Sequence, residues 1–194
     1  LIAEIGINHN GSLDIAKMLI EEAKIAGFDA VKFQKRDINI VYSQDFLDSP
    51  RKSPFGETQR AQKEALEFDL SDYWEIDKYC KKKEIDWFVS CWDTNSQIAM
   101  RTFSTKWNKV ASAMATNKDF LELVASEKKK TFVSTGMTKI EEIEEIVKIF
   151  EKYDCPLSLL HTVSTYPSAD ENLNLKCILT LKEKFNLPIG YSGH

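Results

Sequence analysis

The sequence predicts an α/β protein of the (β/α)8 (TIM) barrel class, truncated after about its seventh strand. Three observations predict it. Seven short apolar segments alternate with six helical ones along 194 residues, the pattern of a parallel sheet with helices outside it. Five of the six strand-to-strand spacings fall between about 20 and 32 residues, a normal βαβ length. Several strands turn polar at their carboxyl ends, where a barrel places its chemistry. An open doubly wound sheet would gather that chemistry at one switch point, and no Gly-x-Gly-x-x-Gly turn follows the first strand.

In chain order, residues 1–6 read as a strand with Glu4 as a charge in an apolar run, where buried acids are uncommon unless paired or functional. Asn8-His9-Asn10-Gly11 is a polar turn, and His9 could face a pocket. Ser12 is a good N-cap for a helix over 13–26 with Ile15, Ala16, Leu19, Ile20 and Ala23 on its core face, stopped by Gly27. Residues 30–35 form the second strand, with Lys32 between apolar neighbours. From 36 to 70 the regular pattern fades among Pro50, Pro54 and Gly56, with only 58–66 reading as helical. So long a loop suggests a functional lid.

Ser71 is the expected cap of a helix through Lys83, with Trp74, Ile76 and Tyr79 as its apolar residues. Strands follow at 86–92, 108–114, 131–137, 157–163 and 189–194. Helices are expected from Asp93 to about Thr105, then over 119–129 and 174–185. Another opens at a Thr138-Lys139-Ile140-Glu141 capping box, with Ile143, Ile146, Val147 and Phe150 facing the core. His161 lies within its strand and takes a core role. The chain begins on Leu1 inside a strand and closes on a strand end, so it reads as part of a longer protein.

Composition narrows the function. Lys and Arg number 26 against 30 Asp and Glu, a net charge of −4, so nucleic acid is not an expected partner. Cys80, Cys91, Cys155 and Cys177 show neither metal-type pairing nor the density of a disulfide scaffold, and fit reduced thiols in cytoplasm. No apolar run approaches the roughly 18 residues of a spanning helix, no secretory signal is visible, and no membrane partner is expected. Lys32, Lys109, Ser112, Ser134 and Ser192 fall near strand carboxyl ends. Compact positive charge with hydroxyl donors suits phosphate and carboxylate oxygens. His194, after flexible Gly193, suits a metal ligand or a general acid–base.

Taken together, Ala3-Glu4-Ile5-Gly6-Ile7-Asn8-His9-Asn10-Gly11-Ser12, Val31-Lys32-Phe33-Gln34, Lys109-Val110-Ala111-Ser112, Ser134-Thr135-Gly136-Met137, Thr165-Tyr166-Pro167 and Gly190-Tyr191-Ser192-Gly193-His194 resemble the sialic acid synthase family. The resemblance runs in order over nearly the whole chain. It implies a (β/α)8 barrel followed by a small antifreeze-like domain, and condensation of phosphoenolpyruvate with an N-acetylated hexosamine to a nine-carbon sugar acid. By that resemblance Lys32, Lys109, Ser112, Ser134 and Ser192 hold phosphoenolpyruvate. Glu4 orients or handles a proton beside the reacting carbons, and Gln34, Ser164 and Tyr166 form the rest of the substrate site. His194 is one of two histidine ligands to a divalent metal, usually manganese, with magnesium able to substitute. A homodimer is expected of the full-length protein.

Ser164 stands where some members carry asparagine, Cys91 where many carry threonine and Gly193 where many carry aspartate. These departures leave the acceptor open among N-acetylmannosamine and the diacetamido sugars of legionaminic and pseudaminic acid synthesis. Competing classes are another phosphoenolpyruvate-dependent keto-sugar-acid synthase, a Schiff-base aldolase, and a non-catalytic barrel fragment that binds ligand or partner.

Overall fold

The first two apolar runs pair directly. Strand β1 (Ile2–Gly6) lies parallel to β2 (Ala30–Lys35) with Glu4 opposite Lys32. The computed structural model describes residues 1–193, in two compact units, Leu1–Lys106 and the residues from Trp107 onward.

In the first unit Ser12 Oγ accepts the Ile15 N–H at 3.3 Å and opens α1 (Leu13–Ile25). Ala16, Ile20 and Ala23 are buried as expected, whereas Ile15 is 37% exposed, because the stripe that meets the strands is narrower than the apolar face. Gly27 takes φ +82° just beyond the helix, a conformation glycine adopts without steric cost.

The segment over 36–70 is not a structureless loop. It holds α2 (Ile38–Val41), α3 (Gln44–Asp48), the antiparallel pair β3 (Pro50–Ser53) and β4 (Gly56–Thr58), and α4 (Gln59–Ala65). Elements this short show no periodicity in the sequence. They are set by caps, Ser43 Oγ accepting from Phe46 N at 3.3 Å and Thr58 Oγ1 from Ala61 N at 3.1 Å. Ile38, Leu47, Leu66 and Phe68 are their buried anchors.

Helix α5 (Leu70–Lys83) starts two residues earlier than expected. Asp69, not Ser71, is the cap: Asp69 Oδ1 accepts the Asp72 N–H at 3.0 Å and Asp72 Oδ2 accepts the Asp69 N–H at 3.1 Å. Its buried face is Tyr73, Ile76 and Cys80, while Trp74 is 44% exposed. Strand β5 (Asp86–Cys91) pairs in parallel with β2, which therefore lies between β1 and β5. Asp93 caps α6 (Thr94–Met100), which ends earlier than the expected Thr105.

The second unit runs β6 (Asn108–Val110), α7 (Lys118–Ala125), β7 (Thr131–Ser134), α8 (Ile140–Lys152), β8 (Leu157–Thr162), α9 (Cys177–Phe185) and β9 (Ile189–Ser192). Each strand pairs in parallel with the next. The strand expected over 108–114 stops at Val110, and Ser112–Met114 is a 3-10 turn. The expected capping box is displaced by one residue. Thr138 Oγ1 donates to the Gly136 carbonyl at 3.1 Å, and Glu142 accepts the Lys139 N–H at 2.6 Å. Met137, at φ +61°, extends the preceding turn and pushes the helix start along. Ile143, Ile146 and Phe150 form the buried face of α8 as expected.

Cys80, Cys91, Cys155 and Cys177 are free thiols, and among the described residues no helix is long and apolar enough to cross a membrane.

His9 does not face a pocket. It is 2% exposed, stacked on Phe68 at 3.9 Å, and its Nδ1 accepts the Gly11 N–H at 3.1 Å, which puts the proton of the neutral ring on Nε2. Burial pulls its pKa from 6.5 to about 4, despite a backbone hydrogen bond with Gly6. The unfolded chain therefore takes up the proton first as pH falls. Stability from this site is intact above the unfolded value and declines through the window down to about 4. The expected slope reaches roughly 1.4 kcal/mol per pH unit. Urea midpoints at pH 7 and 5 should converge in His9→Leu relative to wild type, and an unchanged pH dependence would assign the acid lability elsewhere.

Candidate active site

Two groups of the expected residues assemble, one in each unit. In the first, Lys32 is only 12% exposed at its side chain and forms an ion pair with Glu4, the residue opposite it in the sheet. Glu4 is 46% exposed at its side chain, so the expectation of a buried strand acid is met only in its pairing. Gly6, at φ +53°, ends β1 beneath this pair. A methyl group there would lie 2.8 Å from Glu4 Oε1 and 3.3 Å from Gln34 Nε2, so the carboxylate and the amide converge over bare backbone. The Tyr73 hydroxyl, fully buried, donates to the Gln34 carbonyl at 2.8 Å and holds that strand end in place.

In the second unit Lys109 is 6% exposed, and its Nζ donates to Ser134 Oγ and to the Val110 carbonyl, both at 2.7 Å. Ser112 Oγ accepts the Gly136 N–H at 3.0 Å, tying the turn after β6 to the turn after β7. A methyl on Gly136 would sit 2.3 Å from Ser164 Oγ, 2.9 Å from Ser112 Oγ and 3.3 Å from Thr162 Cγ2. Two other chain segments, the turn after β6 and the end of β8, thus close on one glycine. The Ser164 hydroxyl is buried there with no hydrogen-bond partner. A buried hydroxyl without a partner costs free energy and marks a place where a ligand oxygen or water belongs. The result is an ammonium and hydroxyls at the carboxyl ends of consecutive parallel strands, suited to an anion.

The remaining expected residues are less closely gathered. Ser192 ends β9 opposite Thr162 in register and is partly buried. Tyr166, in the loop after β8, is 77% exposed. His161 is buried, with its Nε2 2.7 Å from the Leu173 carbonyl, in keeping with a core role. His194, the expected metal ligand, lies outside the described residues. Among the described residues no three His, Cys, Asp or Glu side chains gather to hold a metal ion.

Gly136 was legible only as part of a turn, because the two serines that crowd it, Ser112 and Ser164, are distant in the sequence. Replacing it tests the packing. Gly136→Ala in the full-length protein should cost about 1–3 kcal/mol of stability by overpacking and weaken the binding of a small phosphate- or carboxylate-bearing anion in calorimetry. Wild-type affinity in a folded variant would separate this glycine from the anion site.

The NeuB family matches this sequence over residues 19–194. The chain belongs to that family. It is 35% identical over 198 residues to the N-acetylneuraminate-9-phosphate synthase of Drosophila melanogaster, covering all of this chain and 53% of that protein. It is 34% identical over 200 residues to the N,N'-diacetyllegionaminic acid synthase of Campylobacter jejuni, covering all of this chain and 60% of that one. The crystal structure of an N-acetylneuraminic acid synthetase from Leptospira borgpetersenii, solved with citrate, superposes with a TM-score of 0.89 at 32% identity over the whole of this chain and 64% of that one. This NeuB chain thus spans a little over half the length of these curated relatives.

Proposed function

We propose that the full-length protein condenses phosphoenolpyruvate with an N-acetylated hexosamine, N-acetylmannosamine or a related diacetamido sugar, giving a nine-carbon sialic-acid-type acid and phosphate. The observation that carries this reading is the buried Lys109 ammonium beside Ser134, with Ser112, Gly136 and the unpartnered Ser164 hydroxyl in the same unit. Membership of the NeuB family supports it. The same reading makes the parallel strands part of a (β/α)8 barrel, followed by a small antifreeze-like domain in a cytoplasmic homodimer.

In this mechanism Lys109 offsets anionic charge, and the serine hydroxyls orient the oxygens that carry it. Lys32 adds a second cation, held in place by Glu4, and Gln34 is an amide contact for the sugar. Tyr166 and Ser192 complete the substrate contacts. The methylene carbon of phosphoenolpyruvate forms a bond to the aldehyde carbon, whose oxygen takes up a proton, with Glu4 the nearby carboxylate able to handle it. Water adds to the resulting oxocarbenium carbon and loses a proton, and the carbon–oxygen bond to phosphate then breaks to give the 2-keto acid. A divalent metal, manganese by resemblance or magnesium, would polarise the aldehyde oxygen when bound, with His194 as proposed ligand.

The test is phosphate release by the full-length protein with phosphoenolpyruvate, manganese and each acceptor. Coupled formation of a nine-carbon keto acid is expected. Release without the sugar, or none with any acceptor, would overturn the reading. His194→Ala should abolish metal-dependent turnover with the fold retained, and unchanged activity at limiting manganese would remove that residue from the site. Borohydride trapping of a lysine adduct would favour the aldolase.

A further inference from the structure

The turn that follows β1 is built around one imidazole. Gly6, Asn10 and Gly11 all take left-handed backbone angles, at φ +53°, +51° and +72°. Such conformations persist where the surroundings fix them. His9 lies between the two glycines and bonds to both. Its Nδ1 accepts the Gly11 N–H at 3.1 Å, and the proton on Nε2 is shared with the backbone of Gly6. The ring is clamped from both sides of the excursion's base, stacked on Phe68 at 3.9 Å and tilted against Phe33 of β2 at 6.3 Å.

Each end of this bridge presses on something else. A methyl group on Gly11 would lie 2.1 Å from the Ala65 carbonyl oxygen, so the turn rests directly on the end of α4. At the other end is Gly6, over whose bare backbone the Glu4 carboxylate and the Gln34 amide converge. The pairing of β1 with β2 loses its regular register between Glu4 and Gly6. The ladder gives way at that point, so the direction of the strand end depends on contacts outside the sheet. The imidazole supplies them. An apolar side chain would fill the space against Phe68 and Phe33 without the cost of burying a polar ring. What the histidine adds is the pair of hydrogen bonds.

We propose that His9 is a positioning residue: by tying Gly6 to Gly11 it sets the end of β1 and holds the Glu4 carboxylate in place beside Lys32. At 2% exposed the ring reaches no ligand itself and acts through Glu4. The catalytic consequence rests on the proposed synthase reaction, in which Glu4 handles a proton, whereas the placement of the carboxylate does not.

Two measurements on the full-length protein test it. In crystal structures, His9→Leu fills the space without either hydrogen bond and should move the Glu4 carboxylate, relative to Lys32, beyond the roughly 0.5 Å tolerance of a working site. His9→Gln, whose amide extends as far as Nε2, should restore it. His9→Asn keeps an acceptor at the reach of Nδ1 but falls short of Gly6, and it carries the same test if the leucine variant does not fold. In steady state, His9→Leu should lower kcat about ten- to a hundredfold, with recovery in His9→Gln. In a Glu4→Gln background the same change should cost little more, since the two residues act as one unit. A carboxylate that stays in place in a folded variant, or an equal fractional loss with and without Glu4→Gln, would overturn the proposal. A displaced carboxylate in a protein that turns over no acceptor would support the positioning role and sink the synthase reading.

Discussion

If the full-length protein is the proposed synthase, Lys109→Met should lower its turnover by about 10²–10³-fold, the loss typical when one preorganised donor is removed from a site where charge must be stabilised. Methionine matches the lysine stem in length and leaves the buried channel filled, so the change removes charge more than volume. What is lost is an ammonium that reaches Ser134 Oγ and the Val110 carbonyl at 2.7 Å from a position only 6% exposed. In so dry a setting an ammonium acts on an anion with little screening, which is why a single group carries a large effect. Phosphoenolpyruvate affinity should fall in parallel, and thermal unfolding should move much less than activity. Lys32→Met provides the comparison. Its cation is already paired with Glu4, so its removal also leaves that carboxylate without its partner. Near-wild-type turnover in Lys109→Met would mean that this lysine only braces β6 against β7.

Glu67→Ala should destabilise the protein by about 3–5 kcal/mol, the cost of leaving a buried charge without its partner. Glu67 Oε1 accepts Arg36 Nε at 2.6 Å and its Oε2 accepts the Arg36 backbone N–H at 3.0 Å. Arg36 is 7% exposed. Burial raises the Glu67 carboxyl above its usual range even against the Arg36 charge, while that pairing raises Arg36 against its own burial. The position multiplies the effect. Arg36 directly follows β2 and Glu67 precedes α5, so the pair closes the neck of the whole excursion, helped by Lys35 Nζ on the Phe68 carbonyl at 2.8 Å. Urea unfolding reads the loss. A change below about 1 kcal/mol, as for an exposed pair, would show that the short elements hold themselves together. Glu67→Gln should lose less, because it keeps an acceptor for the Arg36 N–H.

The strands and long helices were legible because their apolar residues recur with period and are flanked by caps. Ile143, Ile146 and Phe150 on α8 are the plain case. In the excursion over 36–70 only the helix expected at 58–66 was legible, as α4; the other three- to five-residue elements are too short to show a period and depend on side chains far apart in sequence, as Arg36 and Glu67 are. Cap positions slipped for a related reason. Asp69 and Ser71 are both competent caps, and only the buried Tyr73 and Ile76 decide where the helix begins. The site divides in the same way. Lys32, Lys109, Ser112 and Ser134 were visible as polar residues at strand ends. His9 looked equally available and is buried against Phe68, because a turn histidine carries no mark of what packs over it.

By itself the sequence determined the alternation of strands and helices, the order of the strand-end motifs, and through them the family. Those properties are local, written in periodicity, caps and short runs of residues. Tertiary structure alone decided which polar groups meet and which remain unsatisfied. Lys109 finds Ser134 across 25 positions and Ser112 finds the Gly136 N–H across 24, while Ser164 is enclosed without a partner. Such pairings depend on strand register and on the volume left at Gly136, and neither is encoded within any single segment.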